Sequence, residues 1–214
     1  MSQLINRLSP NNLIFSGVAI LVCLTLHELA HGLVAYMLGD HTAKDQGRLS
    51  LNPFAHLDLM GTIMILFFGF GYAKPVPVNM YNFKNPKAGM ALVAAAGPLM
   101  NILITAVCFV LYGINMVKTP GSFAGQMVYY VAIISASLAV FNLIPIPPLD
   151  GSKVLFSFLP NKAYASSIQG NQIGGIILMI IVFTGMITPI LNMGINFITQ
   201  HLQWCITLGQ HIAM

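Results

Sequence analysis

Long apolar runs separated by short polar loops set the pattern of this chain. Five runs stand out, from about Asn12 to Leu38, Leu59 to Tyr72, Ala88 to Val117, Ala124 to Ile144 and Ile173 to Leu191. A membrane-crossing helix needs about 20 apolar residues. The second run has only about 14 residues and contains Gly61, Gly69 and Gly71, which suits a re-entrant segment better than a span. The pattern predicts an all-α, polytopic helical bundle of about four or five transmembrane helices with one short re-entrant piece. GRLSLN (47–52) and KPVPVN (74–79) alternate apolar and polar positions among Gly and Pro, which predicts small β-strands beside the bundle. The tail from Asn192 to Met214, with His201, Trp204 and His211, fits a last crossing or an interfacial helix equally well.

Composition narrows the class. Of 214 residues, 57% are apolar and 7% charged, where a soluble domain carries about 25% charged residues. That excludes a soluble single domain and a disordered tail. The length predicts one integral-membrane domain over 1–214, with a core at 12–151 and C-terminal helices at 170–214. Nine Lys and Arg are scattered over the loops and give a net charge of +4. No run of them tracks a phosphate backbone, so no nucleic-acid partner is expected. Cys23, Cys108 and Cys205 lie in apolar stretches without CxxC spacing and read as small hydrophobes. Only Arg7 precedes the first apolar run and no A-x-A-like site follows it, so a cleaved signal peptide is not expected.

One motif carries chemistry. HELAH, His27 to His31, sits inside the first apolar run. Residues i and i+4 share a helix face, so both imidazoles can reach one metal ion. Glu28, rotated about 100° away, can serve a water instead. Ionisable groups in a membrane cost at least about 2.5 kcal/mol each, and three fall within five residues here. A hydrolytic zinc site needs a third protein ligand and an open fourth position. Glu28 is the only glutamate, which excludes a downstream Glu ligand. Val34 and Met37 break the extended H-x-x-G-x-x-H pattern. Cys23 is too far along the helix to converge with both histidines. Asp40, Asp45, Asp58, Asp150, His41, His56, His201 and His211 remain as candidates. Asp150 has the most unusual setting, after Pro145, Pro147 and Pro148, which must break the fourth run. His56 is a candidate ligand or substrate contact.

Three ordered motifs carry a family likeness. HELAH, AGPLMN (96–101) and NLIPIPPLDG (142–151) resemble the site-2 protease family of intramembrane zinc metalloproteases. NPFAHLDLMGT (52–62) and GYAKPVPVN (71–79) are similar to its compact branch, without the PDZ or CBS domains of larger relatives. The resemblance implies one Zn²⁺ per chain held by His27, His31 and Asp150, with Glu28 as catalytic carboxylate. It also implies a substrate contact at Asn142.

Topology supports the re-entrant reading. If 59–72 dips in and returns, the fourth helix runs parallel to the first, and Asp150 emerges on the side of the histidines. Lys44, Arg48, Lys74, Lys84, Lys87, Lys153 and Lys162 then lie on that side, against Arg7 and Lys118 on the other. The positive-inside rule makes it cytoplasmic. The expected protein is a multi-pass zinc metalloendopeptidase of a bacterial or archaeal cell membrane. It cuts peptide bonds in or near a membrane-spanning helix of a protein substrate within the lipid bilayer, with Val76 and Val78 accepting the unwound substrate by edge pairing. The rival is a metal or proton transporter using the same His and Asp groups as a relay, but the chain has no internal repeat.

Overall fold

The computed structural model describes residues 10–61, 64, 71–160, 164 and 171–214. Its described helices are α1 (Pro10–Met37), α2 (Thr42–Asp45), α3 (Pro86–Lys118), α4 (Phe123–Leu143), α5 (Asp150–Phe156), α6 (Asn171–Phe183), α7 (Thr188–His201) and α8 (Gln203–Ala213). Pro10 and Pro86 open α1 and α3, where a missing N–H costs nothing. Gly39, at φ 101°, ends α1, and the Asp40 N–H reaches back 2.9 Å to the Ala35 carbonyl.

The chain forms two compact units. One comprises the described parts of Met1–Cys23, Asn101–Val140 and Thr188–Met214. Phe109, Ala132 and Cys205 make a buried cluster in it, drawn from α3, α4 and α8. Here α3 and α8 approach backbone to backbone. A Cβ on Gly113 would lie 2.1 Å from the Ile206 carbonyl oxygen, and one on Gly209 would lie 2.1 Å from that of Val110. All three cysteines are free, with Cys23 and Cys205 buried as small apolar groups.

The other unit comprises the described parts of Leu24–Met100 and Phe141–Ile187. Its apolar cluster is Ala35, Phe83 and Val93, with Val78 packed against it. Among the described residues, neither 47–52 nor 74–79 forms a strand, and the one bridge is an isolated antiparallel pair, Leu57 with Ala73. The reason lies in the second segment. Pro75 and Pro77 have no N–H to give to a ladder. Three of the four remaining donors go to side chains and a loop: Lys74 N–H to the His56 carbonyl, Val76 N–H to Glu28 and Asn79 N–H to Asp40. The segment is extended but pinned, with the Lys74 carbonyl also accepting from Arg48 at 2.8 Å.

Three described helices are long and apolar enough to cross a membrane, Ile14–Met37, Pro86–Lys118 and Phe123–Leu143. The run 173–191 is not one helix. It stops at Phe183, turns through Gly185 at φ 74° and restarts at Thr188, so it adds a fourth span only if α6 is joined to the helices beyond the break. The tail is helical as α7 and α8. The middle of the expected re-entrant segment (62, 63 and 65–70) lies outside the described residues. Its flanks lie side by side: besides the Leu57–Ala73 bridge, a Cβ on Gly61 would sit 1.9 Å from the Tyr72 carbonyl oxygen.

Asp40, one of the candidate ligands, lies in the short turn between α1 and α2. It is fully buried and accepts from the Thr42 N–H and hydroxyl, the Asn79 N–H and the Asn82 amide at 2.5–3.1 Å. Burial alone would raise its carboxyl, but these donors outweigh it and hold the group below the usual carboxylate value. Its contribution is therefore complete above about pH 4 and fades as pH falls through the lowered native value. Asp40→Ala should cost about 1–3 kcal/mol by stranding donors, read as lower thermal stability in detergent at pH 7. The gap from the parent protein should narrow as pH is lowered below about 4.

Candidate metal centre

α1 delivers two imidazoles to one face, as the four-residue spacing requires. His27 and His31 are both buried, and their Nε2 atoms lie 3.0 Å apart, with the rings edge to face. The His31 Nδ1 is 2.6 Å from the Val93 carbonyl oxygen. A carbonyl can only accept, so Nδ1 carries a proton and Nε2 is the nitrogen turned to the cluster.

Asp150 arrives from the other end of the unit. The prolines stop α4 after Leu143, and the chain folds back so tightly that a Cβ on Gly151 would lie 2.2 Å from the Leu143 carbonyl oxygen. This places Asp150 as the first residue of α5, beside the histidines. Its Oδ2 is 3.2 Å from His27 Nε2 and 3.1 Å from His31 Nε2. Asp150 is buried and does not cap its helix. Burial pushes its carboxyl upward, but the two imidazoles and the Lys153 ammonium outweigh that and hold it well below the usual carboxylate range. It is therefore the anion that a metal ligand must be.

These three atoms suit a zinc ion. Tetrahedral bonds of about 2.0–2.1 Å set ligand atoms roughly 3.3–3.4 Å apart, and the observed separations are 3.0, 3.1 and 3.2 Å. The space beside them is kept clear by a glycine. A Cβ on Gly97 would lie 2.5 Å from His31 Nε2 and 2.6 Å from His27 Nε2. Glu28 joins the group, its carboxylate and the histidine nitrogens falling within 4.8 Å of one another. Its Oε2 accepts from the Val76 N–H at 2.9 Å, which leaves Oε1 for other work.

The other sequence candidates have separate places. His56 is buried, with Nε2 2.8 Å from the Ser50 carbonyl oxygen, and its own carbonyl accepts from Lys74. Asp58 accepts from the Gly61 N–H at 2.9 Å, as a helix cap does. His41 packs on Tyr36, His201 bonds its own helix at Phe197, and Asp45 and His211 are exposed. Asn142 is half-buried in the last turn of α4. The Val76 side chain is buried, and that of Val78 packs half-buried against the Ala35, Phe83 and Val93 cluster. Sequence reasoning gave no role to Gly97, although AGPLMN marked it, and counted Lys153 only as a loop charge. Gly97→Ala should weaken zinc binding by at least about tenfold, the scale seen when metal-site support is disturbed, while helix content is unchanged. Metal analysis after dialysis against a chelator checks it.

The chain is similar to a known peptidase family and to several named proteins. The model for peptidase family M50 matches residues 114–188, a stretch that includes Asp150. Over 187 residues the chain is 39% identical to "Putative zinc metalloprotease YwhC" of Bacillus subtilis, covering 83% of this chain and 85% of that protein. It is 33% identical to the similarly named MJ0611 of Methanocaldococcus jannaschii, over 66% of this chain and 69% of that one. With the similarly named Rip2 of Mycobacterium tuberculosis the identity is 29%, over 80% and 66%. No solved structure matches it. On the strength of its likeness to YwhC across most of both chains, together with the family match around Asp150, the chain belongs to peptidase family M50.

Proposed function

We propose that this M50 peptidase is an intramembrane zinc metalloprotease, in which His27, His31 and Asp150 hold one zinc ion and Glu28 moves the proton. The observation that carries the reading is the convergence of His27 Nε2, His31 Nε2 and Asp150 Oδ2 beside the Glu28 carboxylate. A zinc ion there would supply Lewis acidity and lower the pKa of a water molecule toward about 7. The residues do the rest. Val76 fixes Glu28 through Oε2, so Oε1 takes the proton from the attacking water and returns it to the leaving amide nitrogen.

The setting of the histidines supports a substrate within the membrane. They lie 6 and 10 residues before the end of the span Ile14–Met37, or roughly 9–15 Å along the helix. A helical substrate keeps its carbonyls in its own hydrogen bonds and must unwind to present one. The pinned segment 74–79 passes the catalytic carboxylate and is the natural guide for the unwound chain. With proline at 75 and 77 it offers only carbonyl acceptors at those positions, so pairing there rests on N–H groups of the substrate. The excess of Lys and Arg in the loops on this side supports a cytoplasmic orientation in a bacterial or archaeal membrane.

Purified protein in liposomes, given a membrane-spanning peptide substrate, tests this. Glu28→Gln should lower cleavage by about 10²–10⁴-fold, the usual weight of general acid–base catalysis, with one zinc per chain retained. Asp150→Ala should lose the zinc. Full zinc in Asp150→Ala would remove that ligand, and undiminished cleavage by Glu28→Gln would overturn the mechanism.

A further inference from the structure

Asp150 is gripped at both carboxylate oxygens. Oδ2 faces the two histidines, while Oδ1 accepts from the Lys153 ammonium at 3.0 Å. α5 delivers this contact itself, since Lys153 lies one turn beyond Asp150. The Asp150 side chain is 8% exposed and that of Lys153 43%, so the lysine reaches from solvent toward a buried partner. A carboxylate can turn about its last bond and offer a metal either oxygen or both. An ammonium on Oδ1 leaves Oδ2 alone for the ion.

We propose that Lys153 is a positioning residue that holds Asp150 as a one-oxygen ligand; this rests on Asp150 being a ligand. Two physical effects of the lysine oppose each other. Its positive charge repels a divalent ion, so its removal on charge grounds alone would tighten zinc binding. Its grip orients the ligand, and loss of such support weakens metal affinity by about 10–100-fold. The proposal is that orientation wins.

The full-length protein in detergent is titrated with zinc against a chromophoric chelator. Lys153→Met should raise the zinc Kd by about 10–100-fold. Lys153→Arg should restore most of the affinity, and Lys84→Met, which removes an exposed loop charge, should match the parent. With cobalt in place of zinc, Lys153→Met should lose visible absorption intensity as the freed carboxylate adds a second oxygen. Equal melting in excess chelator shows that the variant folds, and Lys153→Gln replaces it if it does not. An unchanged or tighter zinc Kd in Lys153→Met, alongside zinc loss in Asp150→Ala, overturns the proposal and leaves Asp150 a ligand. Retained zinc in Asp150→Ala overturns both.

Discussion

A carboxylate oxygen and two imidazole nitrogens face one another within 3.2 Å inside an apolar protein. Lone pairs brought this close repel unless a cation, a proton or a metal ion, lies among them. Much of the unit is arranged to keep them there. α1 sets the histidines one turn apart, the Val93 carbonyl sets the tautomer of His31, the proline-rich turn brings in Asp150, and Gly97 stays small so that the space between them survives. Each feature is ordinary alone. Together they describe a place that favours a small positive ion.

The second organising constraint is the extended backbone at 74–79. A segment without ladder partners cannot be buried unless its donors are met. Here carboxylates of α1 and the turn after it meet two of them, Glu28 at Val76 and Asp40 at Asn79. The two acids therefore act in unlike ways through the same kind of bond. Asp40 accepts four donors and is a fastening. Glu28 accepts from Val76 through Oε2, and its carboxylate lies within 4.8 Å of the histidine nitrogens.

The sequence made much of the centre readable because its logic is local. HELAH needs only helical periodicity to bring two imidazoles together, and Asp150 was marked by the prolines before it. The three long spans follow from run length. What failed was everything that depends on distant partners. Alternation at 74–79 looks the same whether the neighbour is a strand or a carboxylate 39 to 48 residues away. The burial of Asp40 is set by partners at 79 and 82, which cannot be seen from position 40. The break at 184–187 falls at a left-handed glycine within a run that stays mostly apolar. Gly97 left no polar signal, since its role is to be absent from a space.

The lengths of these connections also order events in time. As the chain is synthesised, α1 appears first, carrying polar groups that apolar surroundings penalise. Their partners come later: Asn79 for Asp40 after 39 residues, Val76 for Glu28 after 48, Val93 for His31 after 62 and Asp150 for His27 after 123. The fastening thus forms before the cluster it supports, and the last of the converging atoms is supplied only when the ribosome has passed the proline-rich turn. A nascent chain therefore reaches the backbone partner of Glu28 well before Asp150, so the proposed ion-holding set stays incomplete until the first turn of α5 has been made.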